Sequence, residues 1–155
     1  MAIMQPHGPL LKLHQFRNDG GAAVFRGDLV EMDADGKISA AEAGDTQLYG
    51  VALTYVAAST TTNVPVACDP DQWFEGDQDG SEAVANIGIN TDHAVGSGGS
   101  TTTGNSTHVI DTSEIATSTL GLRIIDYVRQ PNVTDPGDPT IFNINEHAFK
   151  TTTGV

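Results

Sequence analysis

The chain has one cysteine, one tryptophan and only seven basic residues among 155. Each scarcity closes off a class of function. With Cys68 alone, there is no intrachain disulfide and no cysteine-based zinc site. The expected place for that thiol is the core, as a small hydrophobe. Seven Lys and Arg stand against 20 Asp and Glu, for a formal charge of -13. Such a chain repels phosphate backbones and anionic bilayers, so neither a nucleic-acid nor a membrane partner is expected. No apolar run approaches the ~20 residues of a membrane span. Met1–Leu13 lacks the charged start and continuous apolar stretch of a secretory signal, so a soluble protein made in the cytoplasm is expected. The apolar fraction is 38% and much of it is alanine, which predicts a modest core.

Recognisable catalytic patterns are also missing. There is no Gly-x-Ser-x-Gly, no phosphate-binding loop with its lysine, and no dinucleotide-binding glycine pattern. The five histidines, His7, His14, His93, His108 and His147, include no i,i+4 pair and no His-Glu-x-x-His. Asp92-His93 and Glu146-His147 are sequence neighbours, which a strand would turn to opposite faces. The expectation is therefore a protein that is not an enzyme, with no catalytic residues and no cofactor.

What is present is a series of short Val/Ile/Leu/Tyr/Phe segments separated by Gly, Thr, Ser and Asp. No window of helix length keeps a 3.6-residue period, so an all-β domain, a small barrel or sandwich, is expected. Residues 1–15 carry Pro6, Gly8 and Pro9 before Leu10, Leu11 and Leu13, and read as an N-terminal arm or a first strand. Residues 16–155 read as a single β-rich domain. Within it, Ala22–Val30 is a strand that Gly27 bends, and Gln47–Val56 is a long strand kinked at Gly50. Val64–Ala67 is a short strand whose Pro65 favours a sheet edge. Asp69–Glu75 is a turn leading into an aromatic strand. Gly96–Thr107 is a low-complexity surface loop or an edge strand, and Thr112–Ala116 is a helical turn by the capping spacing of Asp111 and Glu114. Thr119–Val128 is the strongest strand; Pro131, Pro136, Gly137 and Pro139 make a long turn, and Ile141–Asn145 returns as its hairpin partner.

Glu31–Glu42 has the outline of a calcium loop, with Asp33, Asp35 and Glu42 at ligand positions and Gly36 at the turn. Position one is Glu31, and the flanks, with Gly27 and Gly44, are not helical. The better reading is a β-turn, Asp33-Ala34-Asp35-Gly36, and no metal. Gly76–Gly80 looks similar but carries Glu82 and Asn86 at the apolar and closing positions, so it is a polar turn. Arg26-Gly27-Asp28 spells an adhesion tripeptide inside a strand, and the Asn105 and Asn132 sequons have no bearing without secretion. Trp73-Phe74 and His147-Ala148-Phe149 are either core anchors or hot spots on a partner surface.

One resemblance runs through residues 16–149. Phe25-Arg-Gly-Asp-Leu-Val30, Asp35-Gly-Lys-Ile38, Ala43-Gly-Asp45 and Leu48-Tyr-Gly-Val-Ala52 succeed one another in an order that resembles head decoration (cement) proteins of tailed bacteriophages. Val64-Pro-Val66, Asp69–Glu75, Leu122-Arg-Ile-Ile-Asp126 and Phe142–Phe149 are similar to the later segments of virion proteins of this kind. The resemblance implies a small β-barrel or β-tulip-like domain with long loops and an extended N-terminal arm. It implies a structural protein on the outer surface of the virion capsid, partnered by the major capsid protein and by itself, as a trimer or a dimer. The interface would draw on Leu10, Leu11, Leu13, Phe16, Trp73, Phe74, His147 and Phe149. A receptor- or glycan-binding head or tail appendage is the alternative, suggested by the Thr-rich loops and Trp73.

Overall fold

A computed structural model describes residues 3–45, 47–80, 84–128 and 139–150. The chain is all-β, as its patterning predicts, and its strands form two antiparallel sheets. One sheet has six strands in the order β1-β7-β11-β10-β8-β9: Gln5–Pro6, Trp73–Gly76, Thr140–Ile144, Leu122–Tyr127, Asn90–Ala94 and Val109–Ala116. The other has five in the order β2-β6-β5-β3-β4: Leu13–Arg17, Asn63–Ala67, Gly50–Ala52, Leu29–Met32 and Ile38–Ala40. A single 3-10 turn, Val84–Asn86, is the only helical element among the described residues.

Two apolar clusters hold these sheets. The first lies between them: Leu29, Val51 and Ala67 of the five-stranded sheet meet Phe74, Ile110, Leu122, Phe142 and Ile144 of the six-stranded one. The second lies on the far side of the five-stranded sheet and takes the alternate residues Val30, Ala52, Val64 and Val66, with Ile38, Tyr49 and Cys68. The central strands β3, β5 and β6 of that sheet bury residues on both faces, so they read as nearly continuous apolar runs instead of alternating ones. Cys68 is buried and free, as expected for a packing residue.

The five-stranded sheet curls toward itself. Asn18, one residue past β2, bridges Ile38 at the start of β4, and the Asp19 amide donates to the Ile38 carbonyl at 3.0 Å. The curl stops short of a closed barrel. The Cys68 amide donates to Lys12 O and the Asn18 amide to Thr62 O, so the even-numbered residues of β2 face β6. The backbone groups of Leu13, Gln15 and Arg17 therefore face away from β6, into the seam between β2 and β4.

The N-terminal segment supplies strands to both sheets. Gln5 and Pro6 pair with Glu75 and Phe74, Met4 is 1% exposed within the inter-sheet core, and β2 pairs along the whole of β6. Several local expectations change. Thr112–Ala116 is not a helical turn but the second half of β9; its Thr and Ile are β-branched, and Asp111 accepts from the Ser113 amide instead of capping a helix. Pro65 sits in an internal strand. Its carbonyl accepts from the Leu53 amide beyond the last β5–β6 pair, Ala52↔Val66, so the donor it lacks falls where that ladder has ended. The expected long strand 47–56 is reduced to β5 with isolated bridges at Leu48 and Val56. Gly27 does bend its segment, at φ +96. The aromatic strand and the β10–β11 hairpin fall where expected. Residues 131–138, Glu82 and the Asn132 sequon lie outside the described residues.

Candidate functional site

The described residues leave five large hydrophobic side chains exposed: Leu10, Leu11, Leu13, Trp73 and Phe149, at 44–54%. Leu10, Leu11 and Leu13 belong to or adjoin the crossing from β1 to β2, Trp73 borders it beside Leu11, and Phe149 lies beside Lys12, so the five mark one margin. Gln72, 2% exposed, organises this margin from inside. Its Oε1 accepts from the Leu11 amide at 2.8 Å, and its Nε2 donates to Trp73 O at 2.8 Å. The His7 amide donates to the same Trp73 carbonyl at 2.8 Å. Leu11 and Trp73 thereby border a shallow hollow of about 240 Å³ with Pro9 and Asp71. His7 Nδ1 and Gln5 Nε2 both reach the Glu75 carboxylate, at 2.8 and 2.7 Å. Partial burial alone would raise that carboxyl, but these two bonds and the imidazole charge outweigh it and hold it below its ordinary value.

A second hollow of about 180 Å³ is lined by Lys12, His14, Phe16, Cys68 and Phe149. Ring contacts run through it: His14 to Phe16 at 4.7 Å, Phe16 to Tyr49 at 5.8 Å and Tyr49 to Phe149 at 5.1 Å. Lys12 Nζ lies 6.0 Å from the Phe149 ring centroid, and Lys150 pairs with Asp71 at 3.3 Å. Lys12, Arg17 and Lys150, three of the chain's seven Lys and Arg, thus border the apolar margin of an otherwise acidic molecule.

Of the eight residues expected at an interface, Leu10, Leu11, Leu13, Trp73 and Phe149 are exposed here and Phe16 is half-buried. Phe74 and His147 are 0% exposed and are corrected to interior positions. Phe74 stacks on Phe142 at 5.7 Å between the sheets; alternation along β7 sends Trp73 outward and Phe74 inward. The His147 ring accepts from the Phe149 amide through Nδ1 at 3.1 Å, and burial lowers its pKa to about 4. It shapes the margin from beneath. Nothing in the sequence marks Gln72, since one Gln beside a turn carries no signal of the backbone groups it will meet.

The candidate calcium residues Asp33 and Asp35 form the β3–β4 turn. The Gly36 amide donates to Asp33 O, the Lys37 amide to Asp35 Oδ1, and the Lys37 ammonium pairs with the Asp35 carboxylate. Glu42 belongs to a neighbouring turn, where its amide donates to the Asp45 carboxylate. No cluster of three or more His, Cys, Asp or Glu side chains among the described residues is arranged to hold a metal ion.

The one buried titratable cluster among the described residues joins Asp28, Ser106, His108 and His93. The Leu29 amide donates to His108 Nδ1 at 3.2 Å, so the ring proton sits on Nε2, 3.5 Å from Asp28 Oδ1. Ser106 bonds Asp28 through its side chain and accepts from the His108 amide. The carboxylate stands between the serine and the imidazole, so the ring is not placed to take the serine proton. Burial raises Asp28 to about 6 and lowers His108 to about 3, with the His93 ring adding to the latter. The cluster ties the residues before β3 to the end of the Gly96–Thr107 loop. No protein-family model matches the chain, and no curated protein is significantly similar to it.

Proposed function

We propose that this is a structural virion protein that binds the outer surface of a phage capsid and stabilises contacts between major capsid subunits. The observation that carries the reading is the gathering of every exposed large hydrophobic side chain, among the described residues, on one margin with three basic residues at its border. Scattered apolar residues are ordinary on a surface; five gathered around one crossing, with Trp and Phe among them, suit a protein partner. The rest of the chain is acidic, which suits the outside of a shell and disfavours contact with packaged nucleic acid.

Magnitudes favour a repeated, lattice-borne contact. Burying five half-exposed side chains yields about 1 kcal/mol each, or about 5 kcal/mol. Association costs about 4–15 kcal/mol in lost freedom. One such margin is weak on an isolated partner, and becomes firm when polar contacts add to it or copies join into oligomers that engage several sites. Co-sedimentation with undecorated shells of the parent phage tests the reading. Saturable binding at a fixed ratio to the capsid subunit is expected; a folded protein that stays in the supernatant overturns it.

A glycan- or receptor-binding appendage is favoured by a different place, a hollow of about 280 Å³ lined by Arg26, Thr54, Tyr55 and Thr103. The Arg26 guanidinium is held there by Asn105 Oδ1 at 2.8 Å. A glycan array without hits counts against that alternative.

A further inference from the structure

We infer that the seam of the incomplete barrel receives an extended strand from the partner, which pairs with β2 through its outward backbone groups. This rests on the capsid reading for the identity of the partner, a segment of a shell subunit. The seam itself is a property of the sheet. Leu13 and Gln15 direct their N–H and C=O groups away from β6 with no strand of the described residues paired to them, while Arg17 leads into the Asn18–Ile38 bridge that closes the seam at its far end. The other sheet edges are short or partly covered. β1 has two residues and β4 three, and Ile38 of β4 is already bonded by Asp19. The start of β9 is covered by the 77–79 segment: the Ile110 amide donates to Asp77 O, and the Asp79 amide to Ile110 O. β2 is the edge left bare, over Leu13–Phe16 beside an apolar hollow, and bare edges are templates for strand addition.

The flanking side chains fit such an occupant. Leu13 is exposed on one face of β2, and the hollow formed by His14, Phe16 and Phe149 opens on the other. An added strand would place alternate side chains against these two apolar surfaces. Lys12 and Arg17 at the two ends of β2 favour a segment carrying acidic side chains on a neutral or acidic partner. A second copy fits less well. Two β2 strands paired antiparallel about Gln15 would bring the copy's Leu11 opposite Asp19, where Ile38 already sits, and would oppose two chains of charge -13.

The discriminating variant is Gln15→Pro. Position 15 donates nothing to β6, so proline there spares the β2–β6 ladder while removing the central donor of the open edge. In co-sedimentation with undecorated shells, wild type and Gln15→Ala are expected to bind alike. Gln15→Pro is expected to bind at least tenfold more weakly with its melting temperature nearly unchanged. Equal binding by Gln15→Pro overturns the strand addition and leaves the capsid reading standing; failure of wild type to bind overturns the capsid reading itself. Should the proline variant unfold, hydrogen exchange on wild type decides. The Leu13 and Gln15 amides are expected to slow at least tenfold on shells, and unchanged exchange overturns the proposal. Protection of the same amides in free protein, with sedimentation as a dimer, would assign the seam to a second copy and overturn the shell strand.

Discussion

The His93 and His108 rings stack 5.5 Å apart at an interplanar angle of 30°, both buried within the fold. His108 accepts the Leu29 amide with one nitrogen and turns the other toward Asp28. A second proton on His108 would displace the Leu29 amide and put a cation beside another imidazole.

These buried groups set the pH dependence of stability. Burial lowers His108 from 6.5 to about 3 and His147 from 6.5 to about 4. The folded state prefers both rings neutral, so their contribution is complete above about pH 6.5 and is lost as pH falls toward 4 and below. Asp28 acts oppositely: its folded value near 6 against 3.8 means that its ionisation costs stability as pH rises between those values. Glu31, which its burial and acidic neighbours raise to about 7, acts in the same sense as Asp28, so the measurement is made in the Glu31→Gln background; there two histidines outweigh one aspartate, and the net expectation is a loss on the order of 2 kcal/mol from pH 7 to pH 5. Urea unfolding at the two pH values measures it. His108→Asn is expected to flatten the slope, and an unchanged slope would remove His108 from the explanation.

Neighbouring positions on β7 should separate folding from docking. Phe74→Ala empties a fully buried site stacked on Phe142 and is expected to cost about 3–5 kcal/mol. Trp73→Ala, at a side chain 47% exposed, should cost under about 1 kcal/mol yet weaken attachment to shells. Denaturation and co-sedimentation of the two variants check both halves. Removing residues 1–15 altogether is not an equivalent test, because it also removes Met4 from the core and half of β2.

Period-two alternation shows that Trp73 and Phe74 point to opposite faces, but not which face is inside; that is decided by β11, some seventy residues later. The turn at Asp33–Gly36 and the β10–β11 hairpin were legible because their signals are local: turn residues between strand formers, and two strands adjacent in sequence. The double burial of the five-stranded sheet was not, since Val64-Pro65-Val66-Ala67 has the same texture in an edge strand or a central one. The exposed leucines stood out as apolar residues in a segment broken by Pro and Gly. Gln72 and the Asp28–His108 contact were hidden because each depends on partners 61 and 80 residues away.

Backbone geometry gives a third expectation. Gly50, at φ +150, lies so close to β6 that an added Cβ would sit 2.1 Å from the Ala67 carbonyl oxygen. That oxygen belongs to a strand bonded on both sides and has nowhere to move. Gly50→Ala should cost at least about 3 kcal/mol. Gly36→Ala, at φ +79 in the open β3–β4 turn with nothing within 4 Å, should cost only about 1 kcal/mol. Melting temperatures of the two variants, compared side by side, separate steric conflict from conformational preference.

The acidic residues around β3 and β4 give the last expectation. Partial burial raises Glu31 to about 7, and the Asp45 carboxylate, then Asp33 and Glu42, add to the rise. The folded state therefore prefers Glu31 protonated, and its ionisation costs stability as pH rises from 4.5 through 7. Glu31→Gln keeps the shape and removes the charge. The variant should melt higher than wild type at pH 8 and nearly with it at pH 5, where Glu31 already carries its proton. The measurement also bears on calcium. If Glu31, Asp33 and Glu42 converged on an ion, millimolar calcium would raise the melting temperature of wild type at pH 8 and not that of the variant. The turn bonds of Asp33 and Asp35, with Lys37 held on the Asp35 carboxylate, lead us to expect equal melting with calcium and with chelator.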